Sequence, residues 1–267
     1  MPFSVSRLET VFYRNGPNHR AGADVSFTDI VKLFGFRGIR IGRWVTAEEQ
    51  QRAANLFFDA LCDLQQLLQV PEQVLSLNQT LTLTFGIGGQ RGVCAHYQPR
   101  GRILALAKNA GAGSLAHEWF HAFDHYIASK VFPGAGNQDF ASRCFLHAQR
   151  IKPHPLNQLL LDGFKTLLLS PDGSQPSSWF LHCAELDRAR NQLYLSQPEE
   201  LCARAFEAML QAQPLKSHFL VSGTRQSQLA KAGAYPNTAL LQQLGTHWLH
   251  YFSTLGLALG KNKHQEL

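Results

Sequence analysis

Charge is scarce in this sequence. Asp, Glu, Lys and Arg make up 16% of 267 residues, against 45% apolar. That balance excludes a disordered chain and is enough to bury a sizeable core. Cysteine is sparse too. The five, at positions 62, 94, 144, 183 and 202, form no CxxC pair. Neither a disulfide framework nor a cysteine zinc knuckle is expected; buried thiols in a reducing compartment are. No uncharged apolar run is long enough to span a bilayer. The stretch MPFSVSRLETVFYRN lacks a basic start followed by an apolar run, so no signal peptide is expected and the cytoplasm is the expected location. The net charge is +6, but Lys32, Arg37, Arg40, Arg43, Arg100 and Arg102 are scattered. A nucleic-acid partner is compatible with that charge and not indicated by it. The glycines at 86, 88, 89 and 92 are followed by no Lys-Ser or Lys-Thr pair and open no helix, which excludes a phosphate loop. No internal repeat is present.

What is there reads as an α+β domain, mostly helical, with a small antiparallel sheet beside one chemistry-bearing helix. Residues 1–25 are polar and read as an arm; 26–267 read as the domain. Residues 26–45 suggest a short helix and a packed loop. Thr46 and Glu49 make a capping box for a long helix over 46–69, with Leu56, Phe57, Ala60, Leu61, Leu64 and Leu67 as its apolar stripe. Leu81–Phe85 and Arg102–Ala107 read as strands. A glycine-bearing loop, 109–114, leads into a helix over about 114–130, ended by Pro133-Gly134. Helices are also expected over 139–170, broken near Pro153 and Pro155, over 198–212 and over about 237–256, with a loop at 171–178. Cys94 and Cys202 are expected as buried thiols, and His96, His147, His154, His182 and His264 as structural or surface residues.

The chemistry lies in His117-Glu118-Trp119-Phe120-His121. Four residues apart on a helix, the two imidazoles share one face and can converge on one zinc ion. Glu118 lies about 100° further round, so it is poorly placed as a ligand and well placed to accept a proton from a metal-bound water. A third ligand is needed, and Glu200, His125 and Asp124 are the candidates. On a straight helix His125 is two turns from His117, about 12 Å along the axis. A carboxylate from a separate helix is sterically easier, leaving Asp124 or His125 to fix an imidazole from behind. The bland alternative for Glu200 is a solvated ion pair with Arg204 one turn on. The strand at 102–107 is expected to be an edge strand able to pair with extended substrate.

These residues carry a resemblance. Phe34-Gly35-Phe36-Arg37-Gly38, Trp44-Val45, Ala95-His96-Tyr97, Arg102-Ile103-Leu104, Gly111 to Trp119 and Pro198 to Glu207 resemble the large polyvalent protein-associated domain, over about residues 28–210. That zincin-like module occurs in bacterial mobile-element and phage proteins and in related small stand-alone proteins. More distantly, His117-Glu118-x-x-His121-Ala122-x-Asp124 with Glu200-x-x-Ala203-x-Ala205-Phe206 is similar to the gluzincin peptidases of the anthrax lethal factor type. The resemblance implies zinc-dependent peptide hydrolysis, with Glu200 as third ligand, its neighbour Glu199 as the register alternative, and Tyr194 near the place of an oxyanion-stabilising tyrosine. Phe120 departs from the glycine usual in relatives. The rival expectations are a non-catalytic binding module that recruits a protein or nucleic acid, and a structural zinc closed by His125 or Asp124 as fourth ligand.

Overall fold

Ser26 starts the first helix, α1 (Phe27–Phe34). Its hydroxyl accepts from the Asp29 N–H, and the Asp29 carboxylate accepts from the Ser26 N–H. Such a reciprocal cap satisfies two donors that the helix leaves open. The structure is a computed structural model describing residues 11–87, 95–107 and 113–263. Gly88, Gly89, Gly92, Cys94, the loop residues 109–112 and His264 therefore lie outside the described residues. The chain divides into two compact units. One holds Met1–Leu67, Pro71–Ala122 and Pro214–Ser222; the other holds Leu68–Val70, Phe123–Gln213 and Gly223–Leu267.

In the first unit, α1 is followed by β1 (Gly38–Ile41), α2 (Ala47–Leu68), α3 (Glu72–Leu75), β2 (Thr82–Phe85), β3 (Ala95–Gln98) and β4 (Ile103–Leu106). Thr46 and Glu49 cap α2 as its sequence demands. Phe57, Ala60, Leu61 and Leu64 on α2 are fully buried. The strands form one sheet in the order β1-β2-β4-β3. The fold class is α+β and mostly helical, and the sheet is mixed. β1–β2 and β2–β4 are parallel, and only β4–β3 is antiparallel. A parallel pair needs a long crossover, which α2 supplies between β1 and β2, whereas the turn 99–102 suffices for β3 and β4. β4 thus has partners on both sides. The edge expected at 102–107 belongs instead to β3. β1 falls where a packed loop was expected: the three residues between Gly38 and Gly42 are too few to announce a strand.

The described part of the arm is tied down. Arg14 forks onto Asp63 with two bonds of 2.6 Å, and the Asp63 side chain is fully buried. Arg20 does the same to Asp59. Beyond Arg14, the arm pairs with the late segment 214–222 through an Arg14–Ser217 bridge and an Asn15 N–H to Lys216 carbonyl bond.

Helix α4 (Leu115–Val131) begins in the first unit and continues into the second. The second unit adds α5 (Ala141–Leu146), α6 (Pro155–Leu168), α7 (Ser178–Arg190), α8 (Pro198–Ala212), α9 (Gln228–Lys231) and α10 (Thr238–Lys263). Its core is aromatic: Phe164, Phe206, Trp248 and Phe252 are fully buried, with ring centroids 5.8–6.4 Å apart for the Phe164–Trp248, Phe206–Trp248 and Phe206–Phe252 pairs. Gly163 lets α10 approach α6. A Cβ there would lie 2.1 Å from the Trp248 Nε1. α7 was not expected from the sequence, because only Trp179, Cys183 and Asp187 are buried along its 13 residues and no apolar stripe marks it.

Candidate metal centre

The start of α4 is fixed by backbone bonds within the first unit. The Gly113 N–H donates to the Phe219 carbonyl at 3.1 Å and the Ala116 N–H to the Leu220 carbonyl at 3.0 Å. The second bond satisfies a donor that the first helical turn leaves open. Gly113 has φ +101, and a Cβ on it would meet the Ser222 hydroxyl at 2.0 Å, so only glycine lets the two segments meet there. One turn later come the histidines. His117 and His121 are 9% and 7% exposed, with Nε2 atoms 3.1 Å apart and ring planes at 76°. Two zinc–nitrogen bonds of about 2.0–2.1 Å at a tetrahedral angle put the nitrogens about 3.3 Å apart. The pair therefore suits a shared ion.

Glu118 is half-buried, and its carboxylate accepts the Tyr97 N–H at 2.6 Å. Tyr97 lies on β3, and that bond is charge-assisted. Phe120 is fully buried and turned into the core.

The remaining expected residues lie in the second unit. Asp124 is fully buried and accepts from the Ser142 N–H at 2.8 Å and the Ser142 hydroxyl at 2.6 Å. His125 Nε2 bonds the Asn137 carbonyl at 2.8 Å, and its ring packs on Phe140. A carbonyl accepts only, so that nitrogen carries the hydrogen and its lone pair is not offered to a metal. Glu199 is ion-paired with Arg143. Arg204, which a surface pair with Glu200 would need, is 2% exposed. It donates to the Ala234 and Leu195 carbonyls and to the Cys183 sulfur. Glu200 follows in the first turn of α8, its N–H bonded to the Gln197 carbonyl at 3.0 Å. Tyr194 is 48% exposed on the loop before α8, its N–H bonded to Asp187.

Burial raises the Cys202 thiol well above its ordinary value and Cys144 to about 11, so neither is a thiolate nucleophile at neutral pH. His154 caps α6 and His182 bonds the Ala232 carbonyl, both structural tasks. Sequence reasoning did not foresee Tyr97, which takes the Glu118 carboxylate, nor Asp187, which organises the loop before α8. Neither belongs to a spacing motif; each is defined by a partner 21 or 7–9 residues away.

Residues 186–259 match the family model of large polyvalent protein-associated domain 1. The match takes in Tyr194, Glu199, Glu200 and Arg204 and leaves out His117 to His121. No curated protein and no solved structure matches the chain.

Proposed function

We propose that this protein is a zinc-dependent peptidase of the gluzincin kind, with His117, His121 and Glu200 as metal ligands and Glu118 as general base. The observation that carries the reading is the His117–His121 pair, whose Nε2 atoms lie 3.1 Å apart on one buried helix face. Two imidazoles and one carboxylate are a donor set capable of holding a metal ion and are the set of several hydrolytic zinc enzymes. The Glu199 ion pair with Arg143 and the His125 bond to the Asn137 carbonyl count against those two as the third ligand. When bound, zinc acts as a Lewis acid and brings a water's pKa to about 7. Glu118 takes a proton, and its bond to the Tyr97 N–H holds the carboxylate beside β3 until it does so. The substrate is a peptide or protein, and Tyr194 is the candidate to steady charge on its carbonyl oxygen. A cytoplasmic location belongs to the same proposal, supported by the free thiols Cys62, Cys144, Cys183 and Cys202. Among the described residues, no helix is long and apolar enough to cross a membrane.

A second reading, a zincin-like module that binds a protein or nucleic-acid partner without catalysis, is favoured by the Glu118–Tyr97 bond. It gives Glu118 a structural task that needs no substrate. Metal analysis and a broad peptide library separate the two. Wild type should bind one zinc per chain, His117→Ala and His121→Ala should lose most of it, and Glu118→Gln should keep zinc but lose cleavage. Stoichiometric zinc in the double histidine variant would overturn the site. Zinc binding without cleavage of any library member by wild type would favour the binding module.

A further inference from the structure

The loop between α7 and α8 is gripped from two sides. Asp187, 3% exposed, accepts four bonds from three consecutive residues: the N–H groups of Tyr194 (3.1 Å), Leu195 (2.8 Å) and Ser196 (2.8 Å), and the Ser196 hydroxyl (2.7 Å). Arg204, 2% exposed, donates to the carbonyl of the middle residue, Leu195. It is steadied by its bond to the Ala234 carbonyl at 3.0 Å and by the Trp179 ring 5.8 Å away. A buried carboxylate and a buried guanidinium are costly to desolvate. Here neither is in an ion pair among the described residues, and both are engaged on the same backbone segment. That segment runs into Gln197, whose carbonyl accepts the N–H groups of Glu200 (3.0 Å) and Leu201 (2.9 Å). The grip therefore sits four residues before Glu200 and sets the turn at which α8 begins. It also separates two adjacent carboxylates. With the register fixed, Glu199 meets Arg143, and Glu200 projects about 100° away around the helix.

We propose that Asp187 and Arg204 are positioning residues for Glu200. They clamp Tyr194–Ser196 so that α8 starts in the register that assigns Glu199 to Arg143 and presents Glu200 as a ligand. The inference rests on the zinc reading above. Asp187, Tyr194–Ser196, Glu199, Glu200 and Arg204 lie within residues 186–259, the segment that matches the family model. A merely structural clamp would affect stability alone, whereas a positioning clamp affects metal affinity beyond any loss of stability.

The test uses the full chain and zinc alone, titrated against a chromogenic chelator at a temperature where every variant is folded. Asp187→Asn keeps the shape and puts an amide N–H against backbone donors; it should weaken zinc at least tenfold. Ser196→Ala removes one bond and folds more safely; it should weaken zinc about threefold. Leu160→Ala, in the buried core of α6, should lower the melting temperature with zinc affinity within twofold of wild type. Wild-type affinity in both Asp187→Asn and Ser196→Ala overturns the positioning role while leaving the zinc site standing. If wild type itself binds no zinc, the metal reading falls and takes the positioning role with it.

Discussion

His121 and His125 are one turn apart on the same helix and do different work. The first has its Nε2 beside that of His117; the second bonds the Asn137 carbonyl. His125→Ala should therefore cost stability of about 1 kcal/mol, the worth of an ordinary hydrogen bond, and leave zinc content intact. Glu200→Gln should do the reverse: metal falls at least tenfold and the melting temperature of the metal-free protein barely moves. Metal analysis and thermal melts on the two variants check the pair, and zinc lost from His125→Ala would reverse the assignment. At this scale the sequence was informative for the histidines, because helical spacing is a local rule. Local spacing did not separate Glu199 from Glu200, and only the resemblance put Glu200 first. Adjacent residues share every local preference, and what distinguishes them is Arg143, 56 residues away.

Among the elements, α5 depends on another helix for its cap. Phe140 precedes it and offers no side-chain acceptor, and Asp124 of α4 takes the Ser142 N–H instead. Asp124→Ala would leave a buried donor unsatisfied, a loss of about 1–3 kcal/mol. Urea unfolding and faster amide exchange at Ser142 would register it, and unchanged exchange there would show that the cap is dispensable. Elements were legible where a local signal was strong. The Thr46–Glu49 box and the stripe behind it announced α2, and Pro198 announced α8. β3 was too short to announce itself: Ala95 and Tyr97 face inward and His96 and Gln98 outward, but the alternation runs for only four residues. Its place in the sheet comes from pairing with β4, which a single strand does not encode. β4 looked like an edge for the same reason, since nothing within a strand states how many neighbours it has.

For the whole molecule, the acidic limb of stability follows from Asp187. Burial pushes its pKa up, but the Ser196 hydroxyl and the N–H groups of Ser196, Leu195 and Tyr194 outweigh that, and the net shift is downward. A carboxylate lowered on folding contributes stability that is complete above its unfolded pKa of about 3.9 and lost as pH falls through the lower folded value. Asp29, lowered by the Ser26 hydroxyl, and Asp172, lowered to about 2 by Ser170 and Ser174, act in the same sense. Urea midpoints should be flat from pH 7 to 5 and fall below pH 4, with a shallower fall in Asp187→Asn; equal slopes would contradict the role given to Asp187. The pairing of the arm with residues 214–222 bears on how the chain is made. Asn15 and Lys216 are joined by a backbone bond and by a second bond from the Lys216 N–H to the Asn15 side chain, 201 residues apart. The first unit therefore cannot close, nor Ala116 find the Leu220 carbonyl, until the ribosome has delivered residue 220. During synthesis the histidine helix waits, incomplete, for a segment translated about 5–20 seconds after it at about 5–20 residues per second. In that interval the first turn of α4 lacks the acceptor of its Ala116 N–H, and chaperone protection of the nascent chain would matter most.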